Sequence, residues 1–490
     1  MANYPIIDKI HSCDDYRALS AEELRGLPAE IRSFLVEKVS KNGGHLASNL
    51  GVVELTMALH RAFYAPVDRI IFDVGHQAYV HKILSGRANQ FDTLREKGGI
   101  SGFPKRAESV CDPFETGHSS TSVSAAIGIL RADKILGNDR SVVAVIGDGA
   151  LSGGMCFEAL NDAGQSGLPL IVVVNDNAMS ISRNVGAMSK HLYKIRSSGS
   201  YQRFKTNFSD GLKRIPLVGE KLFGILQGIK NRIKYSLIPN VLFEELGFTY
   251  LGPVDGHNVG SMTNVLTRAK ELKCPVVVHA LTVKGKGYMF AENDPERFHG
   301  IGSFDARTGK VSKPTAGRSN SAVFGEAMCE LAEKDKRIAA ITAAMPSGTG
   351  LSEFALRYPE RFFDVGIAEE HAVTMAAGMA SAGMRPVAAI YSTFLQRAYD
   401  QIIHDVCLQN LNVCFAIDRA GLVGEDGETH QGIYDIAFLN NLHGMRIMAP
   451  STQKELKAML SFALTLDGPC AIRYNRGSLP DKLLDTPIEL

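Results

Sequence analysis

Short apolar runs rich in β-branched residues alternate with longer stretches of helical periodicity along most of the chain. In the first block the runs are 141–146, 170–174 and 275–281, and in the second they are 387–391 and 413–417. This alternation favours α/β domains in which a mostly parallel sheet is flanked by helices. Each run ends at a polar or glycine-containing turn, and open α/β sheets bind ligands outside the carboxyl ends of their strands. The pattern therefore predicts where the functional side chains collect.

A polar, turn-rich segment at 303–320 separates the two blocks and is the predicted linker. We expect a first domain over 1–302 and a second over 321–490. Within the first, the strand–helix rhythm is lost at about 183–240, and residues 183–235 contain twelve Lys and Arg but only two acidic residues. A basic insert that binds RNA or a membrane is one interpretation. We favour a mobile excursion over the active site, because long irregular segments in compact domains tend to be lids or disordered.

The charge balance argues against a nucleic-acid-binding protein. The chain has 53 Lys and Arg against 52 Asp and Glu, a net charge of +1, whereas nucleic-acid binders show a clear basic excess. No apolar run reaches the roughly 18 residues of a membrane span, and the N-terminus lacks the basic start and apolar stretch of a signal peptide. The eight cysteines include no CxxC pair, which is typical of reduced thiols in a cytosolic protein. We expect a cytoplasmic protein with neither nucleic acid nor a membrane as partner.

The strongest chemical signal is a pair of polar turns, each directly after a predicted strand. They are the Gly-Asp-Gly turn at 147–149 and the Asn-Asp-Asn turn at 175–177, which a βαβ unit would bring to one sheet edge. Mg²⁺ prefers oxygen ligands and commonly takes one or two protein groups beside phosphate oxygens. Asp148, the amide oxygen of Asn177 and the backbone carbonyl of Met179 suit that role. The glycines allow backbone N–H groups to approach a diphosphate closely.

The Gly-Asp-Gly turn at 147–149, followed by the Asn-rich turn at 175–177, resembles the signature of thiamine-diphosphate (ThDP) enzymes. Further motifs narrow the resemblance to the 1-deoxy-D-xylulose-5-phosphate synthase family, which is transketolase-like, and it extends over essentially the whole chain. The segments that carry it are 44–48, 73–79, 117–122, 252–257, 284–288, 298–299, 366–371, 391–400, 418–421, 424–432 and 473–477.

The resemblance implies two ThDP-binding domains, one for the diphosphate with Mg²⁺ and one for the aminopyrimidine ring. It implies that Glu369 is the carboxyl group that acts on the ring nitrogen and that Phe394 packs against the ring. For these two residues, a helix-start carboxylate favoured by the dipole and an ordinary core phenylalanine are the alternatives. The other cofactor-binding residues that it implies are His76, Gly117, His118, Ser119, Gly149, Ala150, Asn177 and Tyr288.

The resemblance also implies a reaction in which pyruvate loses CO₂ and joins D-glyceraldehyde 3-phosphate, giving 1-deoxy-D-xylulose 5-phosphate for isoprenoid, thiamine and pyridoxal pathways. By this resemblance, His45, His299 and His430 line the substrate pocket. Imidazoles there can exchange protons near neutral pH. Asp426 would accept a hydrogen bond from the hydroxyl group of the aldehyde.

Arginines would hold the phosphate group of the aldehyde. The resemblance implies Arg419 and Arg476 for this task, which suits a planar and permanently charged group; a surface salt bridge is the alternative for either one. Tyr391 and Arg397 complete the substrate-binding residues that the resemblance implies.

The sequence departs from the family pattern in three places. It ends at Leu490, whereas family members continue into a third α/β domain, so we expect that domain to be absent. Asn475 replaces a usual proline and Ala178 a usual glutamate, and neither change removes a predicted functional group. The resemblance implies a homodimer, with a separate chain that supplies the third domain as an alternative. Transketolase-type transfer of a two-carbon ketol unit and a ThDP-binding paralogue that is inactive without a partner chain remain as alternative functions.

Overall fold

Valine, isoleucine and alanine dominate five strands in the N-terminal part of the computed structural model, as expected for β-branched residues in a sheet covered on both faces. All neighbours are parallel, in the order β1-β2-β3-β5-β4. The strands are β1 (Arg69–Phe72), β2 (Val142–Gly147), β3 (Leu170–Asp176), β4 (Thr249–Asp255) and β5 (Val276–Leu281).

Side chains of β2 alternate between two apolar cores, one on each face of this sheet. Val143 and Val145 belong to one core, while Ala144 and Ile146 belong to the other. Helices therefore cover both faces. Among the described residues up to 293, the α-helices are α1 (Cys13–Ala18), α2 (Ala21–Asn42), α3 (Leu46–Leu50), α4 (Val53–Ala62), α5 (Tyr79–Lys82), α6 (Ser122–Leu136), α7 (Gly154–Ser166), α8 (Gly186–Ser197), α9 (Val241–Glu245), α10 (Val259–Glu271) and α11 (Met289–Asn293).

A second parallel sheet follows, with the order β10-β11-β9-β8-β6-β7. Its strands are β6 (Ile338–Thr342), β7 (Phe362–Asp364), β8 (Arg385–Tyr391), β9 (Cys414–Asp418), β10 (Arg446–Met448) and β11 (Cys470–Arg473). Along β9, Ala416 packs into one core and Phe415 into the other, so this sheet is also buried on both faces. Its helices are α12 (Asn320–Lys334), α13 (Ser352–Arg357), α14 (Glu369–Ser381), α15 (Ser392–Leu395), α16 (Tyr399–Gln401), α17 (Asp435–Leu439) and α18 (Gln453–Ala463).

The structure describes residues 4–179, 184–197, 241–311 and 317–480. The chain forms two compact units. The first comprises Met1–Lys38, His45–Phe91 and Phe103–His299, and the second comprises Val39–Gly44, Asp92–Gly102 and Gly300–Leu490. Most of the predicted basic insert at 183–240, and 312–316 of the predicted linker, lie outside the described residues. The domain boundaries at 302 and 321 stay predictions.

The predicted fold class is confirmed, because each of the five apolar runs forms a strand in one of two parallel sheets flanked by helices. The runs correspond to β2, β3, β5, β8 and β9, with bounds that differ by one or two residues. Along the stretches of chain that the structure describes, no helix is long and apolar enough to cross a membrane.

Candidate active site

Asp148 and Asn177 lie at the carboxyl edge of the first sheet, because β2 and β3 are parallel neighbours. Gly147 is paired with Asn175, and the backbone N–H of Asp148 donates to Asn175 O at 3.2 Å. In the turn that follows β3, the backbone N–H of Met179 donates to Asn177 Oδ1 at 3.0 Å. The three predicted metal ligands therefore belong to two adjacent strand-end turns.

Two carboxylates lie close together at this edge. Burial, with the neighbouring Asp176 charge, raises the pKa of Asp148 well above its ordinary value. Burial also opposes ionisation of Asp176, but a 2.9 Å hydrogen bond with His279 Nε2 and the charge of Arg196 outweigh it and lower its pKa. A divalent cation would relieve the repulsion between the two carboxylates, so the donor set fits Mg²⁺.

The described residues contain no group of three or more His, Cys, Asp or Glu side chains arranged to hold a metal ion. The predicted ligand set at this edge is Asp148 together with amide and carbonyl oxygens and with oxygens of a bound phosphate group. That is the ligand pattern that Mg²⁺ adopts in many phosphate-binding enzymes.

The segment 117–119 is fixed in place by the end of β1. Asp73 Oδ1 and Oδ2 accept hydrogen bonds from the backbone N–H groups of Ser120 (2.7 Å) and Ser122 (3.0 Å). Ser120 Oγ also donates to the carbonyl of Ala150 at 2.8 Å, which links this segment to the Gly-Asp-Gly turn. The residue that follows the predicted cofactor-binding segment 117–119 is thus hydrogen-bonded to the predicted cofactor-binding residue Ala150.

Three predicted histidines form one cluster in the first unit. The ring centroids are 5.4 Å apart for His45 and His76, 5.8 Å for His45 and His299, and 4.9 Å for His76 and His299. Asn49 Nδ2 donates to the carbonyls of His45 (2.7 Å) and His76 (2.8 Å), which fixes their backbone positions. Burial, chiefly, holds the pKa of His299 well below its ordinary value, so this imidazole is neutral at pH 7.

Lys284 is a functional candidate to which the sequence analysis assigned no role. Its side chain is buried, and burial lowers its pKa to about 8, although the nearby Asp148 carboxylate works in the opposite direction. Its motif was recognised, but a lysine between turn residues gave no signal of burial. Tyr288, in the same loop, packs against Phe290 and Phe298 with centroid distances of 5.4 and 5.7 Å and lines a cleft of about 740 Å³.

A buried ionic cluster supports that loop from behind. Arg32 Nη1 and Nη2 donate to the two carboxylate oxygens of Glu54, both at 2.7 Å, and His257 Nδ1 lies 3.0 Å from Glu54 Oε2. The cluster reaches the loop because the backbone N–H of Val283 donates to His257 Nε2 at 2.9 Å and Arg32 Nε donates to Lys286 O at 2.9 Å. Burial opposes ionisation of Glu54, but His257 and Arg32 outweigh it and lower its pKa to about 2.

In the second unit, Glu369 is the first residue of α14 and its carboxyl group is buried. Burial raises its pKa from 4.5 to about 7, although the Arg397 guanidinium works against that rise. Arg397 Nε lies 3.2 Å from Glu369 Oε2, yet that oxygen accepts no hydrogen bond from the residues described. Sequence reasoning assigned Arg397 to substrate binding and did not foresee this contact. A buried carboxyl with a pKa near 7 can exchange a proton with a ring nitrogen.

Aromatic rings and a guanidinium surround the end of β8. Tyr391 and Phe394 are stacked with centroids 5.8 Å apart, and His430 meets the Phe394 ring edge-on at 5.5 Å. The guanidinium of Arg419 lies 3.8 Å above the Tyr391 ring. Burial raises the pKa of Tyr391 to about 12 and lowers that of His430. At pH 7 this group therefore offers a neutral phenol, a neutral imidazole and one fixed positive charge.

Asp426 and Arg476 each form an ion pair with a residue that the sequence analysis did not select. Arg95 Nη2 donates to Asp426 Oδ1 at 2.6 Å, and Arg476 Nη1 donates to Glu425 Oε2 at 3.0 Å. Nothing in the sequence around Arg95 pointed to the partner 331 positions away. Half of the Arg476 side chain stays exposed, so its guanidinium is accessible to a phosphate group.

The predicted residues thus fall into two sets, each gathered within one unit. The first unit contains His45, His76, Gly117, His118, Ser119, Asp148, Gly149, Ala150, Asn177, Met179, Tyr288 and His299, and the second contains Glu369, Tyr391, Phe394, Arg397, Arg419, Asp426, His430 and Arg476.

Comparison with known proteins gives two family matches along the chain. Residues 7–282 match the family model described as 1-deoxy-D-xylulose-5-phosphate synthase, and residues 317–482 match the transketolase pyrimidine-binding domain. Together they cover both sheets. The first match includes the predicted metal and diphosphate residues up to Asn177, and the second includes Glu369.

Curated relatives agree with these matches. The chain is 58% identical over 474 residues to the 1-deoxy-D-xylulose-5-phosphate synthase of Desulforudis audaxviator. This alignment covers 96% of this chain and 74% of that protein. It is 55% identical over 471 residues to the enzyme of the same name from Clostridium tetani (96% and 76%). The Clostridium kluyveri enzyme is 53% identical over 486 residues (99% and 77%). The chain thus spans about three quarters of the length of these relatives.

Proposed function

The chain belongs to the 1-deoxy-D-xylulose-5-phosphate synthase family, and on that premise we propose that it joins pyruvate to D-glyceraldehyde 3-phosphate with loss of CO₂. The product is 1-deoxy-D-xylulose 5-phosphate, a precursor of isoprenoids, thiamine and pyridoxal. The family is ThDP-dependent, and ThDP supplies the electron sink that lets pyruvate lose CO₂. The observation that carries the proposal is the buried Glu369 carboxyl, whose pKa is raised to about 7.

Glu369 holds the proton that the aminopyrimidine ring of the cofactor needs. Its Oε2 is buried and accepts no hydrogen bond from the described residues, so it can bond to a ring nitrogen. Burial favours the protonated carboxyl, and Arg397, 3.2 Å from Oε2, favours the ionised form. These opposing influences keep both forms accessible near neutral pH, as proton transfer in both directions requires. Phe394 supplies the apolar surface for the ring.

The edge of the first sheet holds the diphosphate and Mg²⁺. Asp148, the Asn177 amide oxygen and the Met179 carbonyl bind the cation, and the Gly149 and Ala150 backbone orients the diphosphate. Two adjacent carboxylates, one with a raised pKa, support a cation here. His76, Tyr288 and the 117–119 segment complete the cofactor site.

Three histidines position substrate and move protons. His45 and His299 lie in one cluster, and burial keeps the pKa of His299 low, so it accepts a proton readily only when a substrate brings negative charge close to it. In the second unit, His430 and Asp426 orient the hydroxyl group of the aldehyde. Arg419 and Arg476 bind its phosphate, with Tyr391 beside Arg419.

The assembly follows the family. We propose a cytoplasmic homodimer. Size-exclusion chromatography with light scattering tests this, because a homodimer has twice the mass of the single chain in the absence of any other protein.

The test measures CO₂ release from pyruvate by the purified chain, supplied with ThDP and Mg²⁺, with and without D-glyceraldehyde 3-phosphate. We expect release that depends on the aldehyde, together with a deoxypentulose phosphate product. Glu369→Gln should abolish turnover, while Glu370→Gln, which changes the neighbouring and partly exposed carboxylate, should retain it. Transfer of a two-carbon unit from a ketose phosphate without CO₂ release would instead support the transketolase alternative. Absence of release with ThDP bound would contradict the proposal.

A further inference from the structure

Two cysteines that are 98 positions apart in the sequence meet in the first unit. Cys13 begins α1 and Cys111 lies in the loop before the 117–119 segment, and their Sγ atoms are 3.5 Å apart. Both thiols are buried, whereas their neighbours in the sequence, Asp14 and Val110, are exposed. This distance is a van der Waals contact, so a small shift brings the two sulfur atoms within bonding distance.

A chain of buried polar groups leads away from this pair of thiols. His60 Nδ1 lies 4.0 Å from Cys13 Sγ, His60 Nε2 lies 2.8 Å from His81 Nδ1, and His81 Nε2 lies 2.9 Å from Asp112 Oδ1. Arg87 closes the chain with hydrogen bonds of 2.7 and 2.9 Å to the two oxygens of Asp112. None of these residues belongs to the site described above.

The positions of the protons in this series of hydrogen-bonded groups follow from the charged pair of Asp112 and Arg87 at its end. The hydrogen bonds from His81 and Arg87 outweigh burial and hold the pKa of Asp112 far below its ordinary value, so Asp112 is ionised and accepts a hydrogen bond from His81 Nε2–H. With His81 Nε2–H donating to Asp112, His81 Nδ1 accepts a hydrogen bond from His60 Nε2–H. Burial keeps His60 neutral by lowering its pKa well below the usual value. His60 Nδ1 is therefore an acceptor directed at the Cys13 thiol.

The two thiols differ in acidity. The contact with Cys13 lowers the pKa of Cys111 to about 6, although burial opposes this; Ser109 and the positive charge of Arg87 add to the lowering. The same contact, together with burial, raises the pKa of Cys13. Cys111 is thus the thiolate near neutral pH, and Cys13 retains its proton.

We propose that Cys13 and Cys111 are an oxidation site at which a hydroperoxide drives formation of a reversible disulfide, with His60 as the base. The Cys111 thiolate attacks one peroxide oxygen, the O–O bond breaks, and hydroxide leaves. Cys13 sulfur then attacks the sulfenic sulfur of Cys111. As the S–S bond forms and the S–O bond breaks, His60 Nδ1 takes the Cys13 proton and passes it to the departing hydroxide. The sum is two thiols and one hydrogen peroxide giving one disulfide and two waters.

A second pair of cysteines in the chain provides a matched control. Cys414 and Cys470 are directly opposite on β9 and β11, inside an apolar core. Their mutual contact and burial raise the pKa of Cys414 well above its ordinary value. No histidine chain comparable to that at Cys13 contacts them among the described residues. Because no base comparable to His60 contacts either thiol among the described residues, we expect this pair to stay reduced under the same conditions.

The experiment treats the purified 490-residue chain with hydrogen peroxide at pH 7, alkylates the remaining thiols, and maps the peptides without reduction. We expect a peptide that contains Cys13 linked to Cys111 with the loss of two hydrogen atoms, which dithiothreitol reverses. Cys111→Ser should remove this product, and Cys414→Ser should leave it unchanged. Alkylation of both Cys13 and Cys111 after oxidation, or formation of the Cys414–Cys470 bond first, would overturn the proposal; both outcomes are read in the unmutated chain.

The role of His60 needs a rate measurement. We expect His60→Asn to slow closure of the disulfide about 100-fold, at the lower end of what a positioned general base contributes. Thermal unfolding and the rate at which Cys414 is alkylated in the same variant report whether the fold is intact. A folded His60→Asn protein that forms the disulfide at the unmutated rate refutes the assignment of the base.

Discussion

Replacement of Glu369 by glutamine should change the pH dependence of stability as well as activity. The pKa of Glu369 rises from 4.5 to about 7 in the folded chain, chiefly through burial. One pH unit corresponds to about 1.4 kcal/mol, so ionising Glu369 costs about 3 kcal/mol more in the folded state than in the unfolded state.

The sign follows from the protons bound in each state. Below pH 4.5 the carboxyl is protonated in both states, and its contribution to stability is fully present. Between pH 4.5 and about 7 the unfolded chain releases the proton while the folded chain keeps it, so the free energy of unfolding falls as pH rises. Above pH 7 both states are ionised and the loss is complete. Glutamine has no such titration.

The assay is urea unfolding of the cofactor-free unmutated and Glu369→Gln proteins at intervals from pH 5 to 8.5. We expect the stability of the variant relative to the unmutated chain to increase by about 3 kcal/mol across this range. Titrations of all other groups are common to both proteins and cancel in the difference. A constant difference between the two proteins across this range would refute the raised pKa.

Three further predictions test other parts of the site. Arg476→Ala should raise KM for the phosphorylated aldehyde roughly 10- to 100-fold, the loss of a hydrogen bond to a charged group, and leave KM for pyruvate unchanged; the opposite pattern in steady-state kinetics contradicts the phosphate assignment. Asp148→Asn should weaken ThDP binding at fixed Mg²⁺ by roughly tenfold or more in calorimetry, and unchanged affinity argues against a metal ligand there. Gly75→Ala should destabilise the chain by about 2 kcal/mol, because Gly75 has φ +88° and a Cβ would lie 2.3 Å from Thr116 Oγ1 and 2.5 Å from Pro104 Cδ; an unchanged urea midpoint contradicts this.

Of the eleven strands among the described residues, five (β2, β3, β5, β8 and β9) could be predicted, because each is an apolar run that ends at a turn. The run at 170–174 is bounded by turn residues and consists of Leu, Ile and Val, so burial on both faces is the only arrangement that satisfies it. The placement of Asp148 and Asn177 at one edge followed from the rule that parallel strands connected by a helix present their carboxyl ends together. Local pattern and topology were sufficient here.

Contacts between distant segments could not be predicted in this way. Arg95 meets Asp426 across 331 positions, and Arg397 lies against Glu369 although the motif suggested substrate binding. The raised pKa of Glu369 depends on how completely its surroundings exclude water, which no local pattern encodes. The same holds for Cys13, whose partner is set by tertiary packing alone.

The loop between β5 and α11 has the composition of a flexible segment but is tied at several points. Gly285 and Gly287 have φ values of +81° and +83°, conformations that glycine reaches at no steric cost and leaves as easily. Two hydrogen bonds, from Arg32 Nε to Lys286 O and from the Val283 N–H to His257 Nε2, hold this loop in place. Its conformational entropy, about 1–2 kcal/mol per residue, is therefore lost during folding. A molecule that arrives at Lys284 therefore meets a preorganised surface, and none of its binding energy is consumed in ordering the loop.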